Sequence, residues 1–154
     1  MFKNNLLLSL AALFLLFGCT QESKTKKYTL NPGILQECNS AIQNAVVVDH
    51  VTPPVEGRRY FYASLAAYEA LVPYYEAFVS TGNQFNDFNE VQAPDTGKTI
   101  CLDLAAMTAH TYVSGKLVYN EDSIDAFKLR ALKNYKKVLN KTAYKNSIAW
   151  GEAV

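Results

Sequence analysis

Little in this chain offers ready-made chemistry. It has two histidines, three cysteines, three arginines and one tryptophan in 154 residues. His50 and His110 have no cysteine or carboxylate at ligand spacing apart from neighbouring Asp49, which argues against a zinc-type site. No run of Lys or Arg exceeds two residues, and 15 basic residues face 14 acidic ones. Such a balance leaves no long-range field to draw in nucleic acid or an acidic substrate. No apolar run reaches the roughly 20 residues needed to cross a bilayer. Hydrophobic residues nevertheless make up 49%, a globular rather than a disordered composition for one domain at most.

What is present is helical punctuation and periodicity. Residues 53–75 form the stretch around which the rest is expected to pack. Between Tyr60 and Leu71 there is no Gly or Pro, and Glu69 is the one charge. Thr52 suits an N-cap, Pro53 the first helical position, and Pro73 a stop. Ala63, Ala66, Ala67 and Ala70 make a small-residue stripe, and the segment, apolar or aromatic all round, is expected to be buried on most sides as a central helix. Ahead of it, Asn31 and Pro32 open an amphipathic helix whose apolar face is Ile34, Cys38, Ala41, Ile42, Ala45 and Val46. Residues 99–119 read as a second mostly buried helix. Ile124, Phe127, Ala131, Leu132, Tyr135, Val138 and Leu139 trace a third apolar face, opposite Lys128, Lys133, Lys136 and Lys137. A last helix starts near Thr142. Residues 79–97, rich in turn formers, are a long connection pinned by Phe78, Phe85 and Phe88. The fold expected is all-α, a bundle of about five helices.

The individual candidates have plain readings. Glu69 is a buried carboxylate satisfied by Arg, Tyr or a backbone group rather than an acid catalyst. Arg58 and Arg59 are expected to close a helix end or pair with a carboxylate such as Asp49. Cys38 and Cys101 are either two buried thiols or, in an exported protein, a disulfide. No residue is assigned a catalytic, cofactor-binding or metal-binding role.

The first twenty residues are a separate unit. Met1–Asn5 carries one Lys, and residues 6–17 are apolar except for Ser9. That is the layout of a secretory signal. It ends in Leu16-Phe17-Gly18-Cys19, which resembles the lipobox of bacterial lipoproteins. The resemblance implies removal of residues 1–18, acylation of Cys19, a polar tether over residues 19–30 and a helical domain over 31–154. It also implies export and anchoring to a bacterial membrane.

Beyond the leader, Asp49, Pro53-Pro54, Arg58-Arg59, Tyr60, Tyr62 and Ala66-Ala67-Tyr68-Glu69-Ala70 are followed by Ser147 and Trp150-Gly151-Glu152-Ala153-Val154. This pattern resembles the N-terminal helical part of lipoproteins in the vanadium-dependent haloperoxidase and type 2 phosphatidic acid phosphatase superfamily. In that family a Lys, two Arg and a His cradle vanadate or a phosphoryl group, supplied by Lys-x6-Arg-Pro, Pro-Ser-Gly-His and Ser-Arg…His motifs. None of the three motifs occurs here, so the resemblance transfers no catalytic residue. The apolar helical pattern still running at Val154 reads as a chain that continues, with the catalytic half, and any vanadate, beyond it. The expectation is a scaffold portion, inactive alone, partnered by a membrane through its anchor and by the missing half, and not by nucleic acid. The alternative is a complete small lipoprotein acting as a binding or scaffold module, with residues 78–97 as its recognition loop.

The lipobox reading makes a direct prediction. Cys19→Ala should release the protein from sedimented membranes in the expressing cell, while the parent chain stays with them. Equal sedimentation of both contradicts it.

Overall fold

The computed structural model describes residues 27–28, 31, 33–95 and 97–154. Cys19 and the leader lie outside the described residues. Five helices account for the architecture among them, which is all-α. Helix α1 runs Ile34–Asp49, α2 Pro53–Leu71, α3 Leu102–Leu117, α4 Asp122–Val138 and α5 Lys141–Ala153. Two two-residue strands, β1 (Lys27–Tyr28) and β2 (Ile100–Cys101), pair in parallel, Lys27 with Ile100 and Tyr28 with Cys101. Thus two residues of the stretch read as tether are strand, and so are Ile100 and Cys101 of the expected helix over 99–119, which starts at Leu102 instead.

Local chemistry sets the helix boundaries. The Asn31 carboxamide accepts the Gly33 N–H at 3.0 Å, one step ahead of the helix it was expected to cap. The six apolar positions expected on α1 are all buried. His50 closes α1 in the left-handed region, at φ 51°. Thr52 is the N-cap of α2 with proline behind it, and α2 stops ahead of Pro73, tightening into a 3-10 turn at Val72–Tyr74. The Asn140 carboxamide caps α5 by accepting the Ala143 N–H at 2.8 Å.

The centre of the bundle is α3 and not α2. The expected burial of α2 on most sides is corrected: five of its nineteen residues are buried, and Phe61 and Tyr62 are each 46% exposed. On α3, eleven of sixteen residues are buried, including Asp103, Thr108, His110, Thr111 and Ser114. Asp103 accepts the Asn31 N–H and His110 faces Asn39, while the hydroxyls bond within the helix. Thr108 Oγ1 donates to the Leu104 carbonyl at 2.7 Å, Thr111 Oγ1 to Met107 at 2.9 Å and Ser114 Oγ to His110 at 2.7 Å. Hydroxyls satisfied by their own helix need no partner outside it. Helices α2 and α5 pack on α3, and α1 bridges α3 and α4. On α4 the buried face is Ile124, Phe127, Ala131 and Tyr135; Val138, expected to join it, is 67% exposed.

The α3–α5 crossing is held by a glycine. A Cβ built on Gly151 would lie 2.4 Å from the Ala105 carbonyl oxygen and 2.7 Å from Thr108 Cβ. Its neighbours lock the approach. Trp150 Nε1 donates to the Ala70 carbonyl at 2.8 Å, serving the last turn of α2. Ser147 Oγ accepts the Cys101 N–H at 2.8 Å and donates to the Ala143 carbonyl at 2.6 Å. Gly151→Ala must therefore push two helices apart. It should cost about 1–3 kcal/mol in urea unfolding, and an unchanged midpoint would contradict the close crossing.

Candidate functional site

An aromatic-walled groove lies between α2, the C-terminal turns of α3 and the connection over residues 75–99. Phe61, Tyr62, Leu65 and Ala66 form one wall, Val113 and Leu117 another, and Phe85 and Phe88 the third. Its volume is about 340 Å³. Phe85 meets Phe61 edge-on at 5.7 Å, and Phe78 stacks on Tyr68 at 5.5 Å. The three phenylalanines expected to hold the connection thus do touch the bundle or the groove. Phe61, Phe78 and Phe85 also stay more than a third exposed.

Glu69 reaches the groove from α2 and anchors the connection. Its carboxylate is buried and accepts three hydrogen bonds: Ser80 Oγ at 2.8 Å, Thr81 N–H at 2.7 Å and Thr81 Oγ1 at 2.7 Å. The satisfied-carboxylate reading holds, with loop hydroxyls and one amide as partners in place of Arg or Tyr. Three donors leave Glu69 little capacity to act on a substrate. The same clamp sets the tight turn at Gly82, where a Cβ would fall 2.3 Å from Glu90 Cα.

A second polar node joins three junctions. Asp49, the last residue of α1, accepts Arg59 Nη1 at 2.6 Å, the Tyr119 N–H at 2.8 Å and the Asn120 N–H at 3.0 Å. Both side chains of the ion pair are almost fully buried. The Arg59 guanidinium also lies 5.2 Å from the Tyr119 ring centre. Burial by itself would raise the Asp49 carboxyl; the Tyr119 amide, Arg59 and the Asn120 amide outweigh it and hold it below its ordinary value.

The remaining candidates sit apart. His50 caps α1, and His110 is buried in α3, so the two histidines share no site. His110 Nε2 lies 3.1 Å from Asn39 Oδ1 and Nδ1 lies 3.1 Å from Ser114 Oγ, a pairing the spacing in sequence could not show. Burial lowers its pKa to about 4, so the ring is neutral. Cys38 and Cys101 are buried free thiols of one core cluster. Burial, reinforced by the charge of Glu37, pushes Cys38 up to about 12, which removes thiolate reactivity.

These residues do not fit a vanadate or phosphoryl cradle. Such a cradle needs several cationic donors and an imidazole converging on one oxyanion. Arg59 is held by Asp49, Arg58 is exposed on α2, and Arg130 lies over Phe127 on α4. Both nitrogens of His110 face Asn39 and Ser114.

No family model matches the sequence, and no curated protein does. A solved structure does: the crystal structure of the first bacterial vanadium-dependent iodoperoxidase. The similarity has a TM-score of 0.76 at 28% identity and covers 83% of this chain and 31% of that one. The chain thus has a vanadium haloperoxidase-like helical fold and spans about a third of the length of that relative.

The His110 environment generates a pH prediction. A ring held at about 4 in the fold and at 6.5 when unfolded binds its proton more readily in the unfolded chain. Its contribution to stability is complete above 6.5 and is lost as pH falls from 6.5 towards 4. Asp49, held low, keeps its contribution above the ordinary carboxylate range and loses it only at lower pH. Urea unfolding between pH 7 and 4 should therefore show declining stability that His110→Asn flattens; an equal slope in the variant would contradict a buried neutral ring.

Proposed function

We propose that this chain is the N-terminal helical scaffold of a membrane-anchored vanadium haloperoxidase- or acid phosphatase-like protein. On this reading the oxyanion-binding chemistry belongs to residues beyond Val154, and the chain is inactive alone. The observation that carries it is the likeness to an iodoperoxidase over 83% of this chain and under a third of that one, read beside the dispersed positions of Arg58, Arg59, Arg130 and His110. The walls of the groove also support it. Phe61, Tyr62 and Phe85 lie side by side on one surface and remain half-exposed, a face suited to being covered by further protein. Lipid attachment at Cys19 follows from the lipobox alone and completes the proposal as an exported, tethered protein.

A second reading rests on the groove itself. Its apolar walls beside a clamped loop suit a small hydrophobic ligand, which is how a non-enzymatic binding module would use them. Both readings predict a catalytically silent chain with an accessible aromatic face. The purified chain, supplied with orthovanadate, peroxide and iodide, or with a phosphate monoester, should show no turnover above the blank. It should bind a hydrophobic dye through the exposed aromatic face, and Phe61→Ser should weaken that binding. Vanadate-dependent halide oxidation or phosphatase activity by the chain alone overturns the scaffold reading.

A further inference from the structure

The near-neutral total charge hides a strong segregation. Seven of the 15 basic residues fall within residues 126–151, which contain no Asp or Glu; the rest of the chain holds eight basic against 14 acidic residues. The segment comprises most of α4 and nearly all of α5. On α4, Lys133, Lys136, Lys137 and Arg130 are exposed. At 100° per residue, Leu129, Lys133, Lys136 and Lys137 share an arc of about 100°, directly opposite the buried stripe of Ile124, Phe127, Ala131 and Tyr135. Leu129 is 73% exposed within this arc. Among the described residues the ion pairs are Arg59–Asp49 and Lys98–Asp95, so the α4 lysines are not neutralised by carboxylates. The two acidic residues of α4, Asp122 and Asp125, are confined to its first turn. Lys141 and Lys145 extend the basic run as exposed residues of α5.

We propose that the outer face of α4 is a docking surface for an anionic lipid bilayer. A flexible row of lysines supplies diffuse attraction to acidic headgroups, and Leu129 supplies an apolar side chain for the headgroup–acyl boundary. The same face is poorly suited to nucleic acid. It bears one arginine for bidentate phosphate contacts and no exposed aromatic on which a base could stack. Each lysine near an acidic surface is worth about fivefold in partitioning, so the face is a weak binder by itself. It acts as a second, orienting contact for a chain held at the membrane by other means. It rests on the charge distribution and not on the lipid anchor, which is tested separately.

The test uses the full chain carrying Cys19→Ala, sedimented with vesicles of phosphatidylcholine alone or phosphatidylcholine mixed with phosphatidylglycerol. At about 0.05 M salt the chain should bind the phosphatidylglycerol vesicles at least about tenfold better than the neutral ones, and the excess should vanish as salt rises. The variant Lys133→Glu/Lys136→Glu/Lys137→Glu should lose that excess with an unchanged unfolding midpoint, as should the milder Lys133→Gln/Lys136→Gln/Lys137→Gln. Lys98→Glu, away from the face, should retain it, and Leu129→Ser should weaken binding without altering charge. Equal binding to both vesicle types, an unaffected triple variant, or a stronger preference for duplex DNA than for phosphatidylglycerol vesicles at the same salt would overturn the proposal.

Discussion

The Asp49 carboxylate is the constraint on which the arrangement of this bundle depends. It receives Arg59 from α2 and two main-chain amides from the α3–α4 turn while itself ending α1. One buried anion therefore fixes where three connections meet. Removing one partner would leave an uncompensated charge in the interior, which is far costlier than losing a surface ion pair. Glu69 works in the same way at the other end of α2, where its three donors all come from Ser80 and Thr81. The two carboxylates are the means by which long irregular connections are held to a helical frame. Their donors are committed to the fold.

Much of this frame was legible in the sequence, and the reasons are local. The face of α1 was readable because six apolar residues recur at helical spacing. The start of α2 was readable because Thr52 and Pro53 are chemically suited to those positions, while α5 begins at Lys141, one residue ahead of the expected Thr142, behind the Asn140 cap. The ion pair between Asp49 and Arg59 followed from placing a cation near a helix start opposite an unpaired carboxylate. What could not be read was tertiary. The prominence of α2 in sequence comes from its aromatic content, yet Phe61 and Tyr62 face outward, while α3 takes the centre, with eleven of its sixteen residues buried and its hydroxyls satisfied within the helix. Val138 follows the apolar period of α4 but lies at its last turn, past the helices that would cover it. The contact of His110 with Asn39 and the strand pairing of residues 27–28 with 100–101 join positions more than 70 apart in the chain, where no local pattern points.

The residues that carry the family resemblance gain a common physical meaning. Asp49, Arg59, Glu69, Ser147, Trp150 and Gly151 are each a buried hydrogen-bonding or close-packing node. A sequence pattern of this kind marks a way of building helices together, and it says little about chemistry by itself. The likeness to an iodoperoxidase over the helical frame, and the absence of a converging set of cationic donors on that frame, are therefore compatible. The frame supplies shape, a groove walled by aromatics and a basic outer helix, while the proposed oxyanion chemistry is assigned to polypeptide outside it.

The most direct test of that assignment is the size of the native polypeptide in membranes of the source cell, measured with an antibody raised against residues 20–29. A species far larger than 17.2 kDa is expected, since the frame is proposed to belong to a longer enzyme-like chain. A species at or below 17.2 kDa would contradict the scaffold assignment and leave the groove beside Glu69 as the place to look for function.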